Sequence, residues 1–279
     1  MTSGVAAAAD IRSLRAGLLS TIAITLLAVL TALGFAFGWG IRTVHAVLVV
    51  VVPSAYLTVV VWTRAFENRP SWSDPLRARV GPANSITLSR AVAIAFVPAI
   101  ELLDSGSRTG RWVVFALYAA FLLADLADGF VARSRDERSL LGRTLENEAD
   151  SLGVLAVSIY LVIAEIVPWY ILLAGVARYL FVIAVWVRRA VGATVYPLQH
   201  SSSGRILAGI MMNSMLLCTV PAFPTWAART LMPVAAIPFL LGFVRDYFGV
   251  STGRWLLSGR VRGGESVADC SSSRPRTPR

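Results

Sequence analysis

Long, uninterrupted apolar runs constrain the fold of this chain more than any other feature of its sequence. Several runs are each long enough to cross the hydrocarbon core of a bilayer, which is about 30 Å thick and takes roughly 20 helical residues to span. Of the 279 residues, 56% are hydrophobic and only 15% are charged. The sequence therefore predicts an all-α integral membrane protein.

We predict eight membrane-spanning helices from the length and apolar continuity of these runs. The first two form an N-terminal extension, and the other six form a single bundle. No convincing small-residue cleavage site follows the first run, so we expect it to be retained as a span and not removed as a signal peptide. The predicted spans are residues 16–38, 43–63, 86–104, 112–132, 146–166, 168–187, 205–223 and 229–248.

The polar stretches between and after these runs give the predicted domain boundaries. Residues 1–63 form the two-helix extension, and residues 64–85, rich in Pro, Arg and Ser, form a cytoplasmic linker. The six-helix membrane domain covers residues 86–248. Residues 249–279 contain too few apolar side chains to build a core, so we expect a disordered basic tail in the cytoplasm.

The placement of the arginines predicts the orientation in the membrane. Every basic residue is an arginine, and the formal net charge is +10. Cytoplasmic loops carry an excess of basic residues, and the arginine pattern then places both termini in the cytoplasm of a multi-pass protein of the cell membrane. The arginines fall between apolar spans without a basic-aromatic motif, which favours contact with anionic membrane lipids and argues against nucleic-acid binding.

Four carboxylates lie beside the apolar runs, where an ionised side chain is costly unless it is paired or bound to a metal. Asp125 and Asp128 are three residues apart, and Glu146 and Asp150 are four apart, so each pair occupies one face of its helix. Two facing helices each offering two acids suit a hard divalent cation such as Mg²⁺ or Mn²⁺. The alternative, a surface salt-bridge network, does not require two helix-spaced acid pairs.

An arginine and several small residues beside these acids indicate a phosphorylated substrate. Arg133 lies near the predicted interface, where a guanidinium group can bind a phosphate through two hydrogen bonds. Gly129 and Ala132 keep the preceding turn small. Metal ions would neutralise a pyrophosphate, and a carboxylate would accept the proton of an attacking hydroxyl group.

The order of these residues resembles the signature of the CDP-alcohol phosphatidyltransferases. The segment PANSITLSR, residues 82–90, also resembles the stretch before the first core span of that family, and the resemblance covers roughly residues 82–248. It implies a six-helix core, here with two additional N-terminal spans. The signature runs through Asp125, Asp128, Gly129, Ala132, Arg133, Gly142, Glu146 and Asp150.

This resemblance implies a phospholipid-synthesis enzyme that transfers a phosphatidyl or related phosphoalcohol group from a CDP-linked donor, such as CDP-diacylglycerol, to a small polar alcohol. It further implies release of CMP, two Mg²⁺ or Mn²⁺ ions, an active site at the cytoplasmic face and a homodimer. Carried over by position, the metal ligands are Asp125, Asp128, Glu146 and Asp150, the general base is Asp150, and the residues that contact CDP are Asp125, Gly129, Ala132, Arg133 and Gly142.

Three arginines outside the signature have more than one interpretation. Arg178 interrupts a span too far from either end to reach the interface, so we expect it to pair with an acid or face a cavity. Arg205 begins the seventh span, either near a phosphate or as an anchor in a polar loop. By resemblance, both fall where basic residues line the acceptor pocket. Arg90 is either a functional residue or a snorkelling anchor.

Glu146 departs from the family pattern, which normally has aspartate at the third acid. Glutamate keeps the charge but adds a methylene group. A second hypothesis is therefore a catalytically degenerate family member that binds a nucleotide or lipid, or scaffolds partners, without turnover. A third hypothesis, an ion transporter that uses the acids and Arg178, is disfavoured because the acids cluster at one face of the predicted membrane domain.

Overall fold

The fold is described from a computed structural model that covers residues 2–37, 41–134, 138–198 and 202–253. Within these ranges, the side chains of residues 2–10, 32–37, 41, 128, 132, 133 and 202 are outside the description. The predicted disordered tail lies outside it from residue 254 onward. The helices are α1 (Thr2–Phe37), α2 (Ile41–Arg64), α3 (Pro82–Ile94), α4 (Phe96–Leu103), α5 (Arg108–Ser134), α6 (Leu140–Ile163), α7 (Leu172–Ala190), α8 (Ser202–Thr219) and α9 (Thr225–Thr252).

The prediction of an all-α integral membrane protein is confirmed. Apart from two short 3₁₀ turns, Ala65–Glu67 and Trp169–Ile171, the regular structure of the described residues is α-helical. For α6 and α8 the membrane crossing stays a prediction, and α6 carries three acids in its first three turns. Within the described ranges, six segments are long and apolar enough to cross a membrane: Ile11–Thr31, Arg42–Glu67, Pro82–Leu103, Arg108–Val131, Trp169–Ala190 and Thr225–Thr252.

The third predicted span consists of two helices, and a proline explains the break. α3 begins with Pro82 at its first turn, where the missing N–H group costs nothing. Pro98 has no N–H group to donate to the carbonyl of Ile94, and its ring would crowd that carbonyl. α3 therefore ends at Ile94, and α4 begins after Ala95, whose N–H group bonds instead to the carbonyl of Val92 at 3.3 Å.

α3 and α4 lie at the centre of the bundle. In the segment Pro82–Leu103, 72% of the apolar stretch is buried inside the protein, whereas the buried share is 28% or less in the other five candidate spans. α3 packs against α1, α5 and α6, and α4 packs against α2 and α6. A residue on α3 or on the adjacent face of α6 is therefore surrounded by other helices.

The segment between α2 and α3, residues 65–81, is here called the connector, and it packs onto the start of α6. The carboxylate of Glu67 is buried and accepts hydrogen bonds from Arg64 at 2.6 Å and from Thr144 at 2.9 Å. The N–H group of Leu140 donates to the carbonyl of Arg69 at 2.9 Å. The predicted linker is thus ordered against the bundle, and α3 begins inside it.

Candidate active site

One arginine joins the two carboxylates at the ends of the predicted signature. Arg90 of α3 donates from Nη2 to Oδ1 of Asp125 at 2.6 Å, and from Nη1 and Nη2 to Oδ1 of Asp150, both at 3.3 Å. Asp125 lies on α5 and Asp150 on α6. Three helices therefore bring one positive and two negative charges to a single point, which we call the Arg90 cluster.

The burial of this cluster is uneven. The side chain of Arg90 is only 3% exposed, whereas those of Asp125 and Asp150 are 32% and 37% exposed. A buried guanidinium group requires compensating charge, which the two carboxylates supply. Their remaining exposed surface is accessible to a ligand. Burial of the Arg90 side chain and its bonds to two acids argue against the interpretation of Arg90 as a snorkelling anchor, whose charged group would reach the membrane surface.

An aromatic ring completes the environment of Arg90. The guanidinium carbon of Arg90 lies 4.7 Å from the centre of the Phe121 ring, within the range of a cation–π interaction. Phe121 packs in turn against Gly153 of α6, where an added Cβ atom would lie 2.7 Å from Cζ of the ring. Gly153 therefore allows Phe121 to approach α6 and to support Arg90.

Close approach of α3 and α6 also explains Gly142. An added Cβ atom at this position would lie 3.0 Å from Oδ1 of Asn84 and 3.3 Å from Oγ of Ser139. Ser139 is the N-cap of α6, and its hydroxyl accepts a hydrogen bond from the Gly142 N–H group at 3.0 Å. Gly142 thus lets the start of α6 pack against α3, whatever its contact with a ligand.

The remaining predicted ligands occupy α5 and α6. Glu146 is exposed one turn before Asp150, and Gly129 is partly exposed on α5. The backbone of α5 remains helical through Ser134. The side chains of Asp128, Ala132 and Arg133 lie outside the described residues. Their proposed contacts with metal and CDP therefore stay predictions.

Among the side chains that the structure describes, no group of three or more His, Cys, Asp or Glu residues is arranged to hold a metal ion. The donor set of the Arg90 cluster nevertheless fits a hard divalent cation. Asp125 and Asp150 present carboxylate oxygens from two helices to one positive group. Oxygen atoms of this kind are the preferred ligands of Mg²⁺ and Mn²⁺.

Arg178, predicted to pair with an acid or face a cavity, pairs with an acid. Its Nη2 donates to Oε1 of Glu148 at 2.7 Å, and the hydroxyl of Tyr56 donates to Oε2 of the same carboxylate at 2.7 Å. The Glu148 side chain is 10% exposed and that of Arg178 is 29% exposed. We call these three residues the Glu148 cluster.

The partners of Glu148 were not predicted from the sequence, although the position of Glu148 on α6 and the charge of Arg178 pointed to one of them. Glu148 lies two residues from Glu146 and from Asp150, which places it about 200° around the helix from either acid. A carboxylate on that face of α6 and an arginine inside the next apolar span form a plausible pair by charge alone. The contribution of Tyr56, from α2, has no such signal in the sequence.

Arg205, the other predicted acceptor residue, is exposed in the first turn of α8. α8 packs against α5, α6 and α9. Residues 199–201, which precede this helix and include His200, lie outside the described residues. The role of Arg205 in acceptor binding stays a prediction.

Comparison with known proteins identifies the part of the chain that contains the site. A family model described as CDP-alcohol phosphatidyltransferase matches residues 81–248, more than half of the chain. The match includes α3 to α8 and most of α9, whereas α1, α2 and nearly all of the connector lie outside it. A search of curated proteins and a search of solved structures found no match.

Proposed function

The chain belongs to the CDP-alcohol phosphatidyltransferase family, and we propose that it transfers a phosphatidyl or related phosphoalcohol group from a CDP-linked lipid to a small polar alcohol. The donor is of the CDP-diacylglycerol type, and CMP is released. The observation that carries this proposal is the Arg90 cluster, in which acids from the two signature helices converge with side chains that are about one-third exposed.

In the proposed reaction, the hydroxyl oxygen of the acceptor attacks the phosphorus atom nearer the lipid. A new phosphorus–oxygen bond forms to the acceptor, and the bond from that phosphorus to the CMP oxygen breaks. Asp150 accepts the hydroxyl proton at a carboxylate oxygen, and CMP leaves with the bonding electrons. A positioned general base of this kind contributes about 10²-fold to 10⁴-fold to the rate.

The residues of the two signature helices would also hold the metal and the nucleotide. Up to two Mg²⁺ or Mn²⁺ ions, when bound, would supply charge neutralisation at the pyrophosphate. Arg90 keeps Asp125 and Asp150 together from the buried side of the site. The metal ligands we propose are Asp125, Asp128, Glu146 and Asp150, and the residues we propose to contact CDP are Asp125, Gly129, Ala132, Arg133 and Gly142.

The acceptor remains a polar alcohol of open identity, with glycerol 3-phosphate and inositol phosphate among the candidates. Glu148 already compensates the charge of Arg178, so among the two predicted acceptor residues we assign an anionic acceptor group to Arg205. We also propose that the protein lies in the cell membrane as a homodimer. Both termini and the site would then face the cytoplasm, as the arginine placement favours.

The direct test uses the purified full-length protein in lipid nanodiscs with CDP-diacylglycerol and a panel of polar alcohols. We expect CMP release that requires Mg²⁺ or Mn²⁺ and one of the alcohols. A chelator should abolish the release, and restoring the metal should recover it. Absence of CMP release with every alcohol at saturating metal would overturn the proposed transfer reaction.

A further inference from the structure

The two acids of the candidate site that lie on α6 share one face of that helix, and residues on the opposite face bond to parts of the chain outside the matched family region. Glu146 and Asp150 are four residues apart and share a face. Thr144 and Glu148 are also four residues apart, and each lies about 200° around the helix from Glu146. The two pairs therefore occupy opposite sides of the same turns of α6.

Thr144 and Glu148, on the face opposite Glu146, both form hydrogen bonds with the N-terminal part of the chain. The hydroxyl of Tyr56, on α2, donates to Oε2 of Glu148 at 2.7 Å. The hydroxyl of Thr144 donates to Oε2 of Glu67, in the connector, at 2.9 Å. Thr144 lies two residues before Glu146 and Glu148 lies two residues after it, so the two contacts occur on either side of Glu146 along the chain.

The acceptor groups of these contacts are well fixed. The Glu148 and Glu67 side chains are 10% and 6% exposed, so neither carboxylate is readily accessible to water. Arg178 holds the second oxygen of Glu148 at 2.7 Å, and Arg64 holds the second oxygen of Glu67 at 2.6 Å. Hydrogen bonds to ionised groups are stronger than those between neutral groups, so the two contacts resist rotation of α6.

We infer that Tyr56 and Glu67 are positioning residues, which set the rotation of α6 and thereby direct Glu146 and Asp150 toward α3 and α5. This inference rests on the proposed function, because it takes Glu146 and Asp150 to be metal ligands whose direction matters for binding. It gives α2 and the connector a role in the active site, although neither contains one of the proposed metal ligands or CDP-contacting residues. A helix turned slightly about its axis would move both acids together.

The test compares Mn²⁺ binding by the full-length native protein, Tyr56→Phe, Thr144→Val and the double variant, using electron paramagnetic resonance of free Mn²⁺ without substrate. We expect the dissociation constant to rise by roughly tenfold in the double variant, the lower end of what outer partners of a metal site contribute. Each single variant should show a smaller rise. Tyr179→Phe is the matched control.

Tyr179 suits this purpose because its ring lies 5.9 Å from that of Tyr56, and its buried hydroxyl has no hydrogen-bond partner among the described residues. Removing that hydroxyl should leave Mn²⁺ binding unchanged. In the enzyme assay, the double variant should need more Mg²⁺ for half-maximal rate while keeping most of its rate at saturating Mg²⁺. A folding defect would instead lower the rate at every Mg²⁺ concentration.

The possible failures are distinguishable. Native binding of Mn²⁺ that is equally tight in the double variant would overturn the positioning role and leave the proposed function standing. An equal loss in Tyr179→Phe would also overturn it, because general loosening of the helices would then explain the effect. A native protein that binds no Mn²⁺ would overturn the proposed metal site and this inference together.

Discussion

The Arg90 cluster and the Glu148 cluster lie on opposite faces of α6 and distribute their burial in opposite ways. In the Arg90 cluster the cation is buried, at 3% exposure, and its two acids are about one-third exposed. In the Glu148 cluster the acid is the more buried partner, at 10% exposure, and two donors occupy its two oxygens. The first arrangement leaves carboxylate oxygens for a ligand, and the second leaves none.

This difference suits the Arg90 cluster to ligand binding and the Glu148 cluster to a structural role. Carboxylates that are partly exposed beside a buried cation are held in place but remain able to bind a metal or accept a proton. A carboxylate with both oxygens bonded inside the protein contributes to helix position and stability. Four substitutions test this division, beginning with the largest expected effect.

Replacing Asp150 by Asn should lower the rate of CMP release by about 10³-fold, because the amide cannot take up the proton from the hydroxyl group of the alcohol. Asp125 still compensates the charge of Arg90 in this variant, so the protein should remain folded. CMP release and thermal unfolding are the measurements. A variant that keeps more than about one-tenth of the native rate would contradict the assignment of Asp150 as the general base.

Replacing Glu148 by Gln should lower the free energy of unfolding by about 3 kcal/mol, because the charge of the poorly exposed Arg178 loses its counterion. Denaturant unfolding in detergent micelles measures the loss. The control is the double variant Glu148→Gln with Arg178→Met, which removes both charges. It should recover most of the stability, and failure to recover would show that the ion pair is not the cause.

Replacing Gly153 by Ala should lower the free energy of unfolding by about 1–2 kcal/mol, because the new methyl group overpacks against Phe121. Displacement of that ring also disturbs Arg90, so the rate of CMP release should fall as well. Gly209→Ala is the matched control, since an added Cβ atom there meets nothing within 4 Å. Equal stability of the two variants would argue against the packing of Phe121 on α6.

Replacing Glu146 by Asp should have the smallest effect, a fall of about tenfold or less in the rate at limiting Mg²⁺. The shorter side chain keeps the charge and draws the carboxylate back from a ligand position, and small displacements of this kind affect rate. The rate is measured across a Mg²⁺ titration. An inert native protein that becomes active on this substitution would show that the native chain is a degenerate family member.

The helical class, the integral membrane character and the pairing of acids along each of two helices were predictable from the sequence, whereas the roles of those acids stay predictions. The length of an apolar run can be read directly from the sequence. A spacing of three or four residues puts Asp125 and Asp128 on one helix face, and Glu146 and Asp150 on another, without any tertiary information. The break between α3 and α4 also has a local signal in Pro98. These inferences require only neighbours along the chain.

The partners of the charged residues were not predictable in the same way. Arg90 bonds to residues 35 and 60 positions away, and Tyr56 bonds to Glu148 across 92 positions. Helical periodicity specifies the face on which a residue lies but not which helix packs against that face. For the same reason the sequence predicted a linker at residues 64–85, whereas the connector packs onto the start of α6.

The sequence by itself determined that this chain forms long apolar helices with paired acids on two of them, because hydropathy and helical spacing are local properties. The expectation of a phosphotransferase came from the resemblance of those residues to a family signature. Only the tertiary structure decided that Arg90 holds Asp125 and Asp150 together, and that Tyr56 and Glu67 hold the far side of α6. Those contacts depend on how α2, the connector, α3 and α5 pack around α6. A buried charge obtains its stabilisation from whichever helix lies beside it, and that neighbour is a property of the folded chain.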